Sequence, residues 1–484
     1  MSICWALGGE VLGTRPSIEQ MLRPPLLISV ALAVLLGSAD ASAARTTIPI
    51  RGNVAAIALA GDTLIVARQP RNRGFRLERI TPGASARTLL RLPRSPNETE
   101  VALAASAQAL AFSMQTDAED GFSTSHVYVG SPAGPLRDVA ACAAGIVLPP
   151  VAVSGARIAW REGGCGQPAT GPRGVGPASI LIGGPDPASP LRRVAVGPDA
   201  LPASIVLNGE TGFAGVLRPS FFSVDSEVRR LEASALGETL AAEEGRIVAP
   251  VGVLSSGDGV FLLGALDEDD GEVRASCDAT VFVLPAGNIQ RRTLPVGGCP
   301  IDSGLTGATS RVAGDRVLSL VVQRRSKKSK APPPVALTSV RGDGADARVL
   351  ARGTYRPPRA FAVAESGRLA WFQQGCAGGA EIVVDEGATP ATASAIPSCT
   401  VKLLDRSARV RGGRITLRLR CPSGCSGSVI GATRLERLLG DFSFSRGTHR
   451  LRLRLTRSEG RRNRLRLNLE VREGPARSAV IRLR

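Results

Sequence analysis

A pair of adjacent apolar strands recurs along most of the chain, and this repeat constrains the fold more than any other feature. In each copy, an apolar strand leads into a turn with glycine or polar residues, and a second, more apolar strand follows. The clearest copies are SGARIAWREGGC (154–165) and ESGRLAWFQQGC (365–376), whose tryptophans and cysteines are 211 positions apart. Seven second strands lie about 50 residues apart, centred near residues 65, 111, 159, 213, 261, 318 and 370.

Each unit continues with a third and a fourth short strand, such as SILIGG (179–184) and PLRRVAVG (190–197). Four strands per unit without helical periodicity predict an all-β fold, a seven-bladed β-propeller over residues 44–399. A closed ring leaves few strand edges exposed. Two segments compete to close it, Arg45–Gly52 and residues 391–399. The sequence does not decide between them.

The turn followed by a strand reading L-A-W or L-A-F resembles the WD40-like, TolB-like propeller superfamily over residues 45–399. The resemblance implies a propeller that acts mostly as a binding scaffold, although some members carry enzymes. Only four of the 60 basic residues are lysines, which is typical of a high-GC bacterium.

The N-terminal residues 1–43 read as an upstream extension and a signal peptide. Arg23 is followed by an apolar stretch, Leu26–Leu36, and by the small-residue motif Ala41-Ser42-Ala43. The apolar stretch is shorter than a bilayer span, so it predicts cleavage after Ala43. The mature chain has no other apolar run long enough to cross a membrane. We therefore expect a secreted protein, extracellular or associated with the cell envelope.

Eight cysteines follow the signal peptide, and an even number in an exported chain indicates disulfides. Neighbouring cysteines give three nearly equal separations and one short one. The predicted pairs are Cys142–Cys165, Cys277–Cys299, Cys376–Cys399 and Cys421–Cys425. The spacing does not fit a zinc site.

Residues 400–484 form a separate, strongly basic domain. They hold 21 arginines and one lysine against six acidic residues, a net charge of +16 in a chain whose total is +18. About seven alternating strands predict a small immunoglobulin-like β-sandwich. The segment SEGRRN (458–463) is expected to be a hairpin turn that brings strands 449–456 and 464–472 side by side.

Alternation in these strands places leucines on one face and arginines on the other. We predict a polyanion-binding face, with His449 beside it, formed by Arg414, Arg418, Arg420, Arg450, Arg452, Arg454, Arg464 and Arg466. The expected partner is an acidic cell-envelope polymer or another protein. Phe442 and Phe444 are the only aromatic residues of this domain, which argues against nucleic acid as the partner.

No motif of a catalytic site is present, and the chain has only two histidines, His126 and His449. The leading hypothesis is therefore a secreted, non-catalytic binding or scaffold protein, whose propeller presents a ligand-binding face. The alternative is a carbohydrate-active hydrolase or lyase that uses carboxylates around the propeller channel. No cofactor is expected. The acidic loops 117–121 and 267–272 offer a weak case for calcium, because neither has the spacing of a calcium-binding loop.

Overall fold

A computed structural model describes residues 45–484 except 51–52, 70–73, 82–83, 93–98, 117–122, 146–147, 166–176, 198–199, 210, 220–223, 233–234, 245, 266–278, 286–289, 301–308, 324–333, 354–359, 378–379, 386–398, 432–436 and 472–476. Nearly all of this part of the chain is β-structure. It contains no helix long and apolar enough to cross a membrane.

Antiparallel sheets of four or five strands follow one another along residues 45–385, as in a β-propeller. Strand β1 (Arg45–Ile50) precedes the first of these sheets. The first three sheets are β2 (Asn53–Ala60), β3 (Thr63–Gln69), β4 (Arg76–Ile80) and β5 (Arg87–Arg91); β6 (Thr99–Ala105), β7 (Leu110–Thr116), β8 (Ser123–Gly130) and β9 (Leu136–Gly145); and β10 (Val151–Ser154), β11 (Arg157–Gly163), β12 (Ala178–Gly183) and β13 (Arg192–Ala195).

The next four sheets continue the same up-and-down order. They are β14 (Leu201–Asn208), β15 (Thr211–Pro219), β16 (Val224–Leu231) and β17 (Leu236–Glu244); β18 (Arg246–Val253), β19 (Gly259–Ala265), β20 (Thr280–Leu284) and β21 (Arg292–Thr293); β22 (Cys299–Pro300), β23 (Ser310–Ala313), β24 (Arg316–Val322), β25 (Val335–Arg341) and β26 (Arg348–Gly353); and β27 (Ala360–Val363), β28 (Leu369–Gln374) and β29 (Ala380–Asp385) with β1.

Strand β1 completes the last sheet by pairing antiparallel with β29, from Arg45 opposite Asp385 to Ile50 opposite Ala380. Of the two segments that could close the ring, the N-terminal strand does so within the described residues. The competing segment, residues 391–399, lies outside them apart from Cys399. The first strands of neighbouring sheets contact one another, except that β23 takes this place in the sixth sheet, and β27 contacts β2, so the sheets form a closed ring.

The core of the ring lies between neighbouring sheets. Ile65 and Leu77 of the first sheet pack with Phe112 of the second, and all three are almost fully buried. A corresponding cluster joins the last sheet to the first through Phe372 and Val66. Adjacent residues of one strand, such as Ile65 and Val66, are thus buried against different neighbouring sheets, so a slip of one residue would exchange the two packed faces and disrupt both clusters.

Tight turns join the first two strands of most sheets. In the two clearest sequence repeats, the turns contain Gly155 and Gly367, with φ of +53° and +83°. Residues with a side chain rarely adopt this conformation. The repeated glycine therefore reflects a backbone requirement of the turn.

Three disulfides are present in the described chain, and each joins a predicted pair: Cys142–Cys165, Cys376–Cys399 and Cys421–Cys425. Cys299 is also disulfide-bonded, whereas Cys277 lies outside the described residues. Cys299 does not belong to β21, the fourth strand of the fifth sheet. It lies in β22, the first strand of the sixth sheet, where it is opposite Val322 of β24.

Residues 402–483 form two further sheets. The ladder sheet consists of β30 (Lys402–Leu403), β32 (Arg414–Cys421) and β35 (Gly447–Arg454). The second sheet consists of β31 (Ser407–Ala408), β37 (Arg477–Leu483), β36 (Arg464–Val471), β33 (Cys425–Gly431) and β34 (Arg437–Phe444). Leucines from both sheets share one core, which also includes Cys376 and Cys399.

The predicted hairpin between β35 and β36 is wrong. The connection contains a short helix, α1 (Arg457–Gly460), and β35 and β36 belong to different sheets. A capping box explains the helix: Thr456 accepts a hydrogen bond from the Glu459 N–H at 3.2 Å, and the Glu459 carboxylate accepts one from the Thr456 N–H at 2.7 Å. The chain therefore crosses from one sheet to the other at this point.

Candidate polyanion-binding face

Six of the eight predicted arginines lie together on the outer face of the ladder sheet. Strands β32 and β35 pair antiparallel, which places Arg414 opposite Arg454 and Arg418 opposite Arg450. Arg452 is opposite Thr416, and Arg420 is opposite Thr448. We call the set Arg414, Arg418, Arg420, Arg450, Arg452 and Arg454 the arginine ladder.

The alternation of the two strands produces this arrangement. Ile415, Leu417 and Leu419 of β32 point into the core and are at most 1% exposed, while every arginine of the ladder is exposed. Opposed residues in an antiparallel pair have Cα atoms roughly 4.5–5.5 Å apart. The two Arg–Arg pairs therefore hold like charges against each other.

Lys402 extends the ladder and was missed by the sequence analysis. It lies on the short strand β30, directly opposite Arg420. A two-residue strand shows no alternation, so only the pairing of strands reveals that this lysine belongs to the same sheet.

Asp405 is the acidic residue that contacts the ladder within the described chain. One carboxylate oxygen accepts a hydrogen bond from the Arg418 N–H at 2.6 Å, and the other accepts one from Arg418 Nε at 2.9 Å. The Arg418 charge is therefore partly neutralised. The other five arginines of the ladder form no ion pair with a described acidic residue.

Arg464 and Arg466 lie apart from the ladder, which corrects the expectation of one face with eight arginines. Both are on β36 in the second sheet, where Arg464 is opposite Arg482 and Arg466 is opposite Val480. The reason is the crossing at α1, which places β36 beside β33 and β37 instead of β35.

His449 also differs from the prediction. It lies opposite Leu419 and on the same side of β35 as Leu451, away from the ladder. Its ring stacks on Phe444 with a centroid distance of 4.7 Å, and Nε2 lies 2.8 Å from the Ser445 carbonyl oxygen. His449 therefore packs beside Phe444 at the edge of the core shared by the two C-terminal sheets.

Three side chains of the propeller sheets, Tyr128, Arg161 and Arg311, have shifted pKa values. His126 Nδ1 lies 2.8 Å from Asp138 Oδ2, and Tyr128, opposite Asp138, has a pKa raised by burial and by the Asp138 charge. Burial lowers the pKa of the Arg161 guanidinium to about 10, and that of Arg311 is lowered for the same reason. Tyr128, Arg161 and Arg311 lie in three different sheets and do not form one site.

The two acidic loops proposed for calcium, 117–121 and 267–272, lie outside the described residues. Elsewhere in the described chain, no group of three or more histidine, cysteine, aspartate or glutamate residues is placed to hold a metal ion.

No protein-family model and no curated protein matches the chain. Solved structures do match, and they include β-propeller proteins. A prolyl endopeptidase is 12% identical with a TM-score of 0.43, over 81% of this chain and 57% of its own. The β-propeller domain of the Trilobed protease from Pyrococcus furiosus is 8% identical, with a TM-score of 0.42 over 70% of this chain and 96% of its own.

A putative TolB from Agrobacterium tumefaciens is 9% identical with a TM-score of 0.29, over 77% of this chain and 94% of its own. The comparison corrects the functional hypothesis. The prediction of a non-catalytic scaffold is contradicted, since the similar structures include an enzyme, but a TM-score of 0.43 at 12% identity gives this chain neither that enzyme's activity nor the carbohydrate-active alternative. This chain spans about 57% of the length of that enzyme, and similarity at this level assigns it no reaction.

Proposed function

We propose that the arginine ladder binds a linear polyanion. The observation that carries the proposal is the direct opposition of Arg414 to Arg454 and of Arg418 to Arg450 on an exposed sheet face. The ligand class, a linear polyanion, is proposed for the C-terminal sheets only and not for the propeller.

Opposed like charges destabilise a sheet, because cross-strand neighbours are close enough to repel. Elsewhere in the protein, arginines on strands commonly face carboxylates. Arg68, for example, makes two hydrogen bonds to Glu78, at 2.7 and 2.8 Å. Among the described acidic residues, Asp405 alone pairs with the ladder, and it contacts Arg418. An anionic ligand would supply the missing charge.

The shape of the ladder favours a linear ligand. Alternate residues of a strand are about 6.8 Å apart, so the four positions from Arg414 to Arg420 extend over about 20 Å. Thr416 and Thr448 lie between the arginines and offer hydroxyl donors. Guanidinium groups bind phosphate and carboxylate oxygens through paired hydrogen bonds. We infer that the natural partner is an acidic polymer of the cell envelope, encountered after export of the protein.

We further infer that the sheets of residues 45–385 are the blades of a seven-bladed propeller and that residues 402–483 form an immunoglobulin-like sandwich. The ring of contacts between first strands and the pairing of β1 with β29 support the first inference. The single core shared by the two C-terminal sheets supports the second.

The test compares binding of inorganic polyphosphate by the wild-type protein and by R452Q/R454Q over a salt series. The matched control is R87Q/R91Q, which removes two exposed arginines from β5 of the propeller. We expect R452Q/R454Q to lose about tenfold in affinity at low salt. We also expect the salt slope to fall by about 0.7 for each lost phosphate contact. Equal affinities and slopes for the two variants would overturn the proposal.

A further inference from the structure

Exposed arginines continue beyond the end of the ladder. Arg414 and Arg454 form the last pair of the ladder. Arg411 lies next to this pair: its N–H donates to the Arg414 carbonyl oxygen at 2.9 Å, and its own carbonyl oxygen accepts a hydrogen bond from the Arg414 N–H at 3.0 Å. Leu455, directly after Arg454, donates to the Gly413 carbonyl at 2.8 Å. The turn and the end of β35 are thus held together.

The connection to the second sheet is equally basic. Arg457 is in α1, and Arg461 and Arg462 follow it. The chain then enters β36 at Arg464, which faces Arg482 of β37 in register. We call Arg411, Arg457, Arg461, Arg462, Arg464 and Arg482 the arginine belt. It runs from the ladder sheet, around one end of the sandwich, to the second sheet.

The belt is not neutralised by the described chain. All six arginines are exposed, and none forms an ion pair with a described acidic residue. Glu459 is the acidic residue within the connection, but it is 4% exposed. Its carboxylate caps α1 and lies 3.5 Å from Arg437 Nη1, outside the belt.

We propose that the belt continues the ladder, so that one flexible phosphate polymer binds both as it bends around the end of the sandwich. This inference rests on the proposed function of the ladder. The outer faces of two packed sheets point in opposite directions about 10 Å apart, so the ligand must turn sharply. Duplex DNA is too stiff for this, because its persistence length is about 50 nm. A single phosphate chain can follow the path.

The experiment uses inorganic polyphosphate in two length classes. One class is shorter than the roughly 20 Å of the ladder, and the other is more than twice as long. Binding is measured for the wild-type protein, R452Q/R454Q in the ladder, R464Q/R482Q in the belt, and the control R87Q/R91Q. Thermal unfolding confirms that each variant is folded.

We expect long chains to bind the wild-type protein more tightly than short ones at equal phosphate concentration. R464Q/R482Q should lose about tenfold in affinity for long chains and nothing for short chains. R452Q/R454Q should lose affinity for both. Duplex DNA should respond to the ladder variant alone.

Two results separate the two proposals. If neither length class binds in a way that depends on Arg452 and Arg454, the proposed function of the ladder is wrong. If both classes depend on the ladder but R464Q/R482Q binds long chains as the wild type does, the ladder stands and the belt is wrong.

Discussion

Arg45 and Asp385 form an ion pair that joins the first described strand of the chain to the last sheet of the ring. Arg45 Nε lies 3.0 Å from Asp385 Oδ2, and the two residues are opposite each other in the pairing of β1 with β29. Asp385 is 1% exposed. The Arg45 guanidinium also lies over the Trp371 ring, 5.4 Å from its centroid. The pair therefore reinforces the closure of the ring through charge and through contact with a buried aromatic side chain.

We expect R45Q to destabilise the protein by about 3 kcal/mol, because it removes a cation that contacts a buried carboxylate. Chemical denaturation measures the change. The control is R193Q, which removes an ion pair with Glu162 whose side chains are 61% and 36% exposed. An exposed pair contributes less than about 1 kcal/mol. If the two variants are equally stable, the ion pair does not contribute to ring closure.

The strands, their alternation and three of the disulfides could be predicted from sequence, because each depends on a pattern within a short stretch. The leucine–arginine alternation of β32 is complete within eight residues. The equal separation of 23 residues identified Cys142–Cys165 and Cys376–Cys399, although the first joins β9 to the end of β11 and the second joins the end of β28 to the segment before β30.

The partners of the strands could not be predicted in the same way. Two strands with the same alternation, β35 and β36, are adjacent in sequence and read as a hairpin. Four of the residues between them form a capped helix, and the two strands belong to different sheets. The position of Arg464 depends on that crossing, whereas His449 is placed on the side of Leu451 by the alternation of β35 alone. The contact of Asp405 with Arg418 depends on how the intervening chain folds, and the numbers of acidic and basic residues do not reveal it.

The disulfide Cys376–Cys399 should hold the C-terminal sheets against the last sheet of the ring. Both cysteines pack in the core of the C-terminal sheets, and Ser443 Oγ donates to the carbonyl oxygen of Ala377. We expect C376A/C399A to lose about 3 kcal/mol of stability. Amide hydrogen exchange should rise in β33 and β34, the strands nearest this junction.

C142A/C165A is the matched control for this variant. It removes a disulfide with the same sequence separation of 23 residues, but within the propeller. Its effect on exchange should be confined to the propeller sheets. Faster exchange of β33 and β34 in both variants would show that the junction does not depend on Cys376–Cys399.

Tyr128 should titrate above the usual tyrosine pKa of 10.0. It is 9% exposed, and burial followed by the charge of Asp138 raises its pKa. The neutral phenol is thus favoured in the folded state. The resulting stability is complete below the unfolded pKa and is lost as the pH rises through the folded pKa.

Absorbance of tyrosinate measures this pKa directly. The chain has two tyrosines, so Y355F leaves Tyr128 as the single reporter. We expect D138N to lower the pKa of Tyr128, while D186N, which removes an exposed aspartate of another sheet, leaves it unchanged. A Tyr128 pKa that does not respond to D138N would exclude Asp138 as one of its causes.

Asp405 should weaken anion binding by the ladder, because it places a negative charge among arginines that otherwise lack one. Its carboxylate is 2.9 Å from both Nε and Nη2 of Arg418. We expect D405N to release Arg418 and to raise the affinity for short polyphosphate about three- to fivefold, which corresponds to an exposed ion pair of up to about 1 kcal/mol. The control is D441N, which makes the same change of net charge in the second sheet, where Asp441 bonds Ser428. An equal gain in affinity from both variants would mean that short polyphosphate responds to the net charge of the domain and not to the ladder. A gain confined to D405N would place the bound polyphosphate beside Arg418.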